Sequence, residues 1–426
     1  MLKIYLKQAW TLMRQNKLFT SIYVVGTGLS IALIMTLFII FYVKFAPIYP
    51  EYNRNRTLVI KPMERHPKGK PENYNLNSGV SYRFIQELVT GLPHVEAVGG
   101  GMLGFWNESK ILLPNGESLP ASHRSVDGGF WKVFNFRFLN GRPFTQEEVD
   151  ADLRLAVISK SLAIRVFTTV QVVGEHLFFG GDDYLVCGVV DDVSSATPDT
   201  SGDLWIPLTE SDRIGRGLLG NIWAYLLVDD VANKEVVKEE VREAVHKFNL
   251  QDAEYDYNLI GQPDDYWMST FRTGQNPDFV EIAKGFLYML LALLFIPALN
   301  LSGMISSRMD KRLCELGIRK AYGATNRRLL HQVLCENLLL TVIGGLVGLL
   351  FSYLIVLTAS DWILTLFDTK INIPGQHITL TFEMLFNPAV FSCAFGLCIV
   401  LNTVSALLPA VSALRHPIIH SLNTNR

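Results

Sequence analysis

Four long apolar segments dominate the pattern of hydrophobic and polar positions along the chain. Each is long enough to cross a bilayer core of about 30 Å, which takes roughly 20 residues of helix. The first follows four basic residues, but its apolar run is much longer than the core of a signal peptide, so we interpret it as a retained membrane anchor. The predicted transmembrane helices are residues 18–44, 278–305, 337–358 and 388–412.

The segment before the first span, residues 1–17, has the pattern of an amphipathic helix. Leu2, Leu6 and Trp10 share one face, whereas Lys3 and Lys7 face the other way. This distribution predicts a helix on the membrane surface, with its apolar stripe among the acyl chains and its bases at lipid phosphates. The alternative is a plain cytoplasmic flank whose bases only set the topology.

The polar segment between the first two spans, residues 45–277, shows mixed periodicity and predicts an α+β domain. Because some 230 residues exceed a typical single core, we expect two subdomains. The expected fold class is therefore a membrane protein of four transmembrane α-helices, with this large extracytoplasmic domain between the first and second spans. Amphipathic helices are predicted at 81–92 and 233–248, and strands at 95–101 (ending in a glycine turn), 155–159, 172–179 and 184–190.

The distribution of charged residues predicts the orientation of the spans in the membrane. The chain is 49% hydrophobic and only 18% charged, below the level usual for soluble domains. Residues 46–277 hold 22 Lys and Arg against 32 Asp and Glu, whereas 306–336 hold seven basic and three acidic residues. The positive-inside rule then places both termini and 306–336 in the cytoplasm, with 46–277 and the short loop 359–387 outside. The remaining segment, 413–426, is a cytoplasmic tail.

Candidate enzyme chemistry is scarce. No G-x-x-x-x-G-K-[ST] phosphate-binding loop occurs, and neither does H-E-x-x-H or G-x-S-x-G. The acid pairs could be imagined as cation sites, but we interpret them as solvated turns. We therefore expect no catalytic residue, no metal site, no cofactor in this chain and no nucleic-acid partner. The acid pairs are Asp182-Asp183, Asp191-Asp192, Asp229-Asp230 and Asp264-Asp265.

The predicted spans carry small residues rather than charged ones. The apolar runs of the last three, residues 285–305, 338–358 and 389–411, lack Asp, Glu, Lys and Arg, which argues against an ion-driven transporter. Glycine and alanine recur at helix-packing distance, and such pairs favour close contact between helices in lipid, within one chain or between two. The candidates for helix packing or dimerisation are Gly28, Ala32, Gly344 and Gly348.

A short charged stretch, residues 312–332, lies between the second and third spans. Gly323 is placed to end one helix in a left-handed cap, and Thr325 to begin the next. Glu315 and Arg319 are spaced as a favourable helix pair. The bases could merely hold this loop inside, but a rigid helix of both charge signs is better suited to a protein partner.

The segment "CELGIRKAYGATNRRLLHQVLCENLLLTVIGGLVGLL" (314–350) resembles the E-x-G-[IL]-x-[KR]-A-x-G-A…E signature of the MacB/FtsX family of ABC transporter permeases. Further blocks at 14–32, 126–150 and 408–422 resemble the family's first span, periplasmic core domain and C-terminal ending. The resemblance implies four spans and a cytoplasmic coupling helix on which a dimeric ATPase docks. The implied coupling residues are Glu315, Gly317, Ile318, Arg319, Lys320, Ala321, Gly323 and Ala324.

The resemblance also implies partners. MacB carries its ATPase ahead of the permease, and this chain begins at the amphipathic helix, so we expect a separate ATPase polypeptide that binds ATP and Mg²⁺. A homodimer, or a heterodimer with a paralogous permease, is expected in the lipid of a bacterial inner membrane. A periplasmic adaptor is a further candidate partner.

Two functions from different classes follow. The first is a permease subunit that couples ATP hydrolysis to movement of the outer domain, and so exports or extracts a substrate by mechanotransmission. The alternative is an FtsX-like scaffold that activates a cell-envelope enzyme without transport; the large outer domain favours the first. The aromatic residues of that domain are interpreted as core rather than as a binding surface.

Overall fold

The computed structural model describes residues 11, 14, 17–69, 76–103, 110–113, 116–213, 217–272, 278, 280–289, 291–292, 295, 303, 318–365 and 388–415. The chain divides into two compact units, which are described separately. The membrane unit comprises Met1–Tyr42, Val280–Ile363 and Phe382–Arg426, and the outer unit comprises Val43–Phe279 and Leu364–Thr381. The predicted surface helix 1–17 lies almost wholly outside the described residues.

Among the described residues of the membrane unit, three helices are long and apolar. We name them the N-terminal helix (Lys17–Phe45), the long helix (Asn326–Thr365) and the C-terminal helix (Pro388–Arg415). By length and composition, the parts able to cross a membrane are Thr20–Phe45, Asn326–Thr358 and Phe391–Ser412. The predicted span 278–305 falls mostly outside the described residues, although 280–289 are helical.

The predicted third span, 337–358, lies inside the long helix. The helix begins at Asn326, next to the N-cap predicted at Thr325 and still within the charged stretch, and it continues past the predicted span to Thr365. Residues 359–365 contain neither glycine nor proline, so the backbone has no local reason to leave the helix where the apolar run ends. Hydropathy reports where apolar side chains stop, whereas the helix ends where its backbone hydrogen bonds stop.

Two clusters of buried side chains hold the membrane unit together. In one, Ile31 and Met35 of the N-terminal helix lie in the same cluster as Ala394 and Cys398 of the C-terminal helix. In the other, Leu329, Val333 and Leu340 of the long helix pack with Ala406 and Ala410. Small side chains on the C-terminal helix let the neighbouring helices approach closely, as is usual in lipid.

The outer unit is a mixed α+β domain built on two sheets. Among the described residues, twelve strands form one sheet in the order β16-β1-β14-β4-β7-β12-β9-β11-β10-β5-β6, with β8 paired to β11. A second sheet has the order β13-β3-β2-β15. The strands are β1 Thr57–Ile60, β2 Met63–Pro67, β3 Leu76–Val80, β4 Val95–Leu103, β5 Lys110–Leu112, β6 Ser118–Pro120, β7 His123–Val126, β8 Phe138–Gly141, β9 Leu155–Ser159, β10 His176–Phe179, β11 Asp182–Val190, β12 Leu204–Pro207, β13 Leu219–Gly220, β14 Trp223–Val228, β15 Tyr255–Asn258 and β16 Asp264–Asp265.

Most neighbouring strands are antiparallel, but β7 with β12 and β9 with β11 run parallel. The predicted helix at 233–248 is confirmed as Lys234–Gln251, which buries Val237, Val241 and Val245. The helix predicted at 81–92 is shorter and wound as a π-helix. The helices of the unit are Phe84–Val89 (π), Phe130–Val133, Gln146–Asp150, Lys160–Phe167, Glu210–Arg213, Val231–Asn233 (3₁₀), Lys234–Gln251 and Tyr266–Ser269.

The strand predicted at 95–101 forms, but the expected glycine turn at its end is wrong. Gly99, Gly100 and Gly101 lie inside β4, which continues to Leu103. A Cβ atom added at Gly99 would lie 2.7 Å from the backbone N and Cα of Phe130. Gly99 is therefore explained by the close approach of the helix Phe130–Val133 to the sheet, not by a turn.

The outer unit has two hydrophobic clusters. The larger contains Phe84, Phe130, Trp205 and Tyr225 and spreads along β1, β14 and the helix Lys234–Gln251. The smaller lies around β9, β10 and β11. Of the aromatic residues interpreted as core, Phe130, Phe134 and Trp205 are buried, whereas Trp267 is 46% exposed and Phe105 and Trp106 lie outside the described residues.

Candidate functional site

Residues 318–324 of the charged stretch form a helical turn followed by a tight cap, and we call this segment the capped turn. Residues 318–321 are helical, and Gly323 has a φ of 86°. The N–H of Gly323 donates to the carbonyl of Lys320 at 2.9 Å, and the N–H of Ala324 donates to the carbonyl of Arg319 at 3.0 Å. These two bonds form a Schellman motif, so the predicted left-handed cap is confirmed.

The long helix starts at once after this cap. The N–H of Arg328 donates to Thr325 Oγ1 at 3.4 Å, and the N–H of Leu329 donates to the carbonyl of Thr325 at 3.2 Å. Thr325 therefore occupies the N-cap position that the sequence predicts. Glu315 and Gly317, and with them the expected Glu315–Arg319 pair, lie outside the described residues.

Arg319 connects this capped turn to the long helix. Its Nη1 donates to Gln332 Oε1 at 2.6 Å, across thirteen positions of the chain. Gln332 in turn donates from Nε2 to Glu336 Oε1 at 3.1 Å, one helical turn further on. Gln332 and Glu336 are both buried, so a charge-assisted contact leads from the turn into the packed interior of the membrane unit.

A second buried polar cluster joins the long and C-terminal helices. Asn337 donates from Nδ2 to Asn402 Oδ1 at 3.2 Å, and Asn402 donates to Thr341 Oγ1. Thr341 Oγ1 donates to the carbonyl of Asn337 at 2.8 Å. Hydrogen bonds between polar side chains fix the rotation of one apolar helix against another, because apolar packing alone is permissive in lipid.

Sequence reasoning found Arg319 but missed Gln332, Glu336 and Asn337. The available signal was the spacing: 332 with 336, and 337 with 341, place polar side chains four residues apart on an otherwise apolar helix. The predicted span begins at residue 337, which places Glu336 in the cytoplasmic region 306–336 rather than in a buried position. In the structure Glu336 lies well inside the long helix and is 2% exposed.

The surface of the capped turn is open. Tyr322 is 89% exposed and Ile318 is 46% exposed, while Ala321 and Gly323 are also exposed. Lys320 and Ala324 are half-buried. An exposed aromatic and an exposed aliphatic side chain beside basic residues form a surface on which a protein partner could bury apolar area.

The small residues of the spans meet one another within the chain. A Cβ atom added at Gly28 would lie 3.1 Å from the carbonyl oxygen of Gly344, and one at Gly348 would lie 2.6 Å from that of Gly28. Ala32 is fully buried. The structure therefore brings Gly28, Gly344 and Gly348 together at a contact between the N-terminal and long helices.

The acid pairs of the outer unit have different environments. Asp264 is buried and paired with Arg272, and Asp265 pairs with Lys234 and Lys238, so the interpretation of this pair as a solvated turn is wrong. No group of three or more potential metal ligands occurs among the described residues. The other pairs make surface contacts, Asp182 with Arg154, Asp183 with His176, Asp191 with Arg137, and Asp229 with His94.

The models of two known domain families match this chain. Residues 20–244 match the model of the MacB-like periplasmic core domain, and residues 287–418 match that of the FtsX-like permease C-terminal domain. The first match alone covers more than half of the chain. Its span includes the N-terminal helix and most of the outer unit.

Named relatives are similar to this chain over most of its length. An uncharacterized ABC transporter permease, YknZ of Bacillus subtilis, is 23% identical over 66% of this chain and 68% of its own length. The macrolide export ATP-binding/permease protein MacB 1 of Yersinia pestis is 24% identical over 96% of this chain and 59% of its own length. The chain thus spans about three fifths of that relative.

Solved structures of outer domains are also similar. The periplasmic region of MacB from Actinobacillus actinomycetemcomitans aligns at 16% identity over 48% of this chain and 88% of that one, with a TM-score of 0.33. A domain of a permease protein from Porphyromonas gingivalis aligns at 18% identity over 54% and 97%, with a TM-score of 0.36. With apolar helices able to span a membrane and both family models matched, the chain belongs to the MacB/FtsX family of ABC transporter permeases.

Proposed function

We propose that this chain is the permease subunit of an ABC transporter that works by mechanotransmission. Binding and hydrolysis of ATP by a partner would displace the capped turn, and the displacement would move the outer domain. The proposed result is export of a substrate, or its extraction from the membrane, on the outer side. The MacB relatives are named for macrolide export, and a comparable small amphipathic substrate is one candidate here.

The contact that carries this proposal is Arg319 with Gln332. A turn that merely connected two spans would need no side-chain attachment to the membrane interior. Here the guanidinium is held at 2.6 Å by a buried amide, which is held in turn by buried Glu336. Movement of the turn would therefore pull on the long helix directly, and through Asn402 on the C-terminal helix.

The direction of the proposed transmission rests on charge. Residues 306–336 hold seven basic and three acidic residues, residues 1–17 hold four basic and no acidic residues, and 46–277 are acidic. We therefore propose four spans in the cytoplasmic membrane, with both termini and the capped turn in the cytoplasm and the MacB-like domain outside.

The energy source is proposed to be a separate ABC ATPase that binds ATP and Mg²⁺. The printed sequence has no phosphate-binding loop of the Walker type, so hydrolysis is assigned to a partner. The exposed side chains of Ile318 and Tyr322 offer that partner an apolar contact beside basic charge. Because ABC ATPases act in pairs, we propose that the permease is a homodimer or pairs with a paralogous permease.

The test is co-purification of the chain with candidate ABC ATPases of the same genome, followed by the substitution Glu315→Lys. We expect the wild-type chain to retain an ATPase and to change its rate of hydrolysis. Reversing the charge at 315 should weaken that complex or uncouple hydrolysis while membrane insertion is unchanged. An unaltered complex with unchanged coupled activity would remove residue 315 from the coupling site.

A further inference from the structure

A compact set of buried ion pairs lies in the outer unit where the chain leaves the N-terminal helix and where it turns back toward the membrane. All of these residues belong to the outer unit, which begins at Val43. They play no part in the capped turn described above. We call this set the base cluster and define it as Glu51, Arg54, Lys61, Asp199, Asp264 and Arg272.

Arg54 binds the end of the N-terminal helix. Its Nη1 donates to the carbonyls of Val43 at 3.0 Å, Lys44 at 3.3 Å and Ala46 at 2.7 Å. The last carbonyls of a helix have no partner within the helix and carry partial negative charge, so a cation there is favourable. Because Arg54 is only 6% exposed, this cap is a fixed internal contact.

The carboxylate of Glu51 holds the guanidinium of Arg54 in place, and we call this guanidinium with its hydrogen bonds the Arg54 fork. Its Oε2 accepts from Arg54 Nε and from Arg54 Nη2, each at 2.7 Å, while its Oε1 accepts from Thr200 Oγ1 at 2.7 Å. A planar guanidinium with five N–H donors can bind a carboxylate and several carbonyls at once, which lysine cannot. The helix end is thereby attached to the loop around Thr200, some 150 residues further along the chain.

Two segments lead into and out of the outer unit, residues 43–54 and residues 264–272, and we call them the crossing segments. The second crossing segment also has an arginine that binds a carboxylate and a carbonyl. Arg272 donates from Nη2 to Asp264 Oδ1 at 2.8 Å, and from Nη1 to the carbonyl of Ile260 at 3.0 Å. Asp264 belongs to β16, the edge strand that pairs with β1. The last described residues before the predicted second span are therefore bonded to the sheet.

Several contacts join the two crossing segments. The Arg54 guanidinium lies over the ring of Tyr266, 5.6 Å from its centroid. The rings of Phe45 and Phe271 are 6.1 Å apart. Lys61 Nζ contacts Asp199 at 3.1 Å and the carbonyl of Ser269 at 3.4 Å.

Burial of charge is an expensive way to hold a domain together. Replacing a buried ion pair by apolar residues often leaves stability unchanged or improves it, so such pairs are weak evidence for stability. What they do provide is one defined geometry, because any shift leaves a buried charge without its partner. Each of the three acids here has its own base, and all six side chains are buried.

We propose that the base cluster is the attachment that makes the outer domain follow its membrane segments, with Glu51 and Arg54 as its positioning residues. This inference rests on the proposed mechanotransmission, because a permease that does not move its outer domain needs no such attachment. It adds the residues at which displacement would enter the outer domain. The Arg54 fork would transfer movement of the helix end to both crossing segments together.

The test compares two charge-neutral double variants of the full-length chain, in lipid nanodiscs with the ATPase that co-purifies with it. Glu51→Gln with Arg54→Gln removes the fork without leaving a lone buried charge. The control is Glu239→Gln with Arg242→Gln, an exposed pair of the same residue types and the same spacing, 3.1 Å apart on the helix Lys234–Gln251. Hydrogen exchange followed by mass spectrometry is measured with and without ATP.

Without ATP, the Glu51/Arg54 variant should exchange about tenfold faster in both 43–54 and 264–272, although nothing in the second segment has changed. The control should match the wild type. Loosening of 43–54 alone, or of neither segment, would overturn the inference. If the double variant exchanges everywhere because it has unfolded, Arg54→Lys, which keeps the charge but loses the fork, should show the same pattern more weakly; unchanged exchange in that variant would overturn it too.

When ATP is added, hydrogen exchange across the outer domain should change in the wild type and in the control, relative to the same proteins without ATP. The Glu51/Arg54 variant should lose that change while ATP is still hydrolysed. A full response in the variant would contradict the attachment role. Absence of any response in the wild type would contradict the proposed mechanotransmission itself, whereas the exchange pattern without ATP still shows whether the two segments are joined.

Discussion

Asp127 is a carboxylic acid held inside the outer unit directly after β7. Its Oδ1 accepts the N–H of Phe130 at 2.8 Å, and the residue is 2% exposed. Burial raises the pKa of this carboxyl from 3.8 to about 7, against the opposing effect of its backbone hydrogen bonds. The folded chain therefore binds this proton more tightly than the unfolded chain, and the free energy of unfolding falls as the pH rises from about 4 to about 7.

We predict that Asp127→Asn removes this decrease in the free energy of unfolding between about pH 4 and about pH 7, which is on the order of 4 kcal/mol in the wild type. The asparagine keeps an oxygen acceptor for the N–H of Phe130 but does not titrate. The thermal midpoint of the detergent-solubilised chain, followed by tryptophan fluorescence, should rise in the variant relative to the wild type as the pH increases from about 4 to about 7.

The comparison with the wild type is essential because His123 acts in the opposite direction. Burial, together with the charge of Arg124, lowers the pKa of His123 to about 4, so its neutral form stabilises the fold increasingly as the pH rises over the same range. A difference between variant and wild type that stays constant with pH would contradict the assignment to Asp127.

The glycines of β4 give a second prediction at this scale. A Cβ atom at Gly99 would lie 2.7 Å from backbone atoms of Phe130, whereas one at Gly101 would lie 3.5 Å from the ring of Phe130, an ordinary contact. Gly99→Ala should therefore cost about 1–3 kcal/mol of unfolding free energy through overpacking. Gly101→Ala should cost little, because it also reduces the freedom of the unfolded chain.

Denaturant unfolding of the outer domain within the full chain measures both variants. Equal losses for Gly99→Ala and Gly101→Ala would show that the close approach of the helix Phe130–Val133 does not explain the glycine run. The sequence shows three glycines in a row but not what lies above them. For this reason a turn was expected where the structure has a crowded strand.

The N-terminal and long helices of the membrane unit are in close contact at Gly28 and Gly348. A Cβ atom at Gly348 would lie 2.6 Å from the carbonyl oxygen of Gly28 and 2.9 Å from Cβ of Ile31, whereas one at Gly396 would meet no atom within 4 Å. Gly348→Ala should therefore separate the N-terminal and long helices and lower the thermal midpoint, at a cost of about 1–3 kcal/mol. Gly396→Ala is the matched control.

The fraction of monodisperse protein that survives heating in detergent, measured by size-exclusion chromatography, gives the comparison. Gly396→Ala should behave like the wild type, or be slightly more stable, because alanine favours helix over glycine. If Gly348→Ala were as stable as Gly396→Ala, the close contact of these two helices would be wrong.

The hydrophobic pattern of the sequence predicts best those helices and strands whose environment is the same along their whole length. The apolar helices and the helix Lys234–Gln251 are predicted well because each buries one continuous face or lies wholly in lipid. The expected strand 172–179 is shorter, His176–Phe179, because β-branched residues such as Val172 can also be buried in an irregular segment. The start of the long helix agrees with the N-cap predicted at Thr325. The buried contacts of Gln332 and Glu336 were missed, because polar side chains in a cytoplasmic segment look solvated when their partners are unknown.

On the scale of the whole molecule, the family and the order of its parts could be read from the sequence. The signature at 314–350 and the blocks around it agree with both family matches. The base cluster could not be predicted, since its pairs join residues separated by up to about 140 positions and only the folded outer unit brings them together. Its ion pairs look in the sequence like isolated surface charges.

We propose that the capped turn is a cytoplasmic surface covered by an ATPase, and single-cysteine labelling in sealed vesicles can test both its side of the membrane and its protection. In a background without the five native cysteines, Tyr322→Cys places a thiol at a position that is 89% exposed. Leu250→Cys, 73% exposed in the outer domain, is the control for the opposite side. A membrane-impermeant maleimide is applied from each side, with and without the co-purified ATPase.

We predict that Tyr322→Cys reacts with the maleimide only from the cytoplasmic side and is protected when the ATPase is bound. Leu250→Cys should react only from the outside, and bound ATPase should not change its reaction. Reaction of the thiol at 322 from the outer side, or equal reaction with and without bound ATPase, would contradict this proposal.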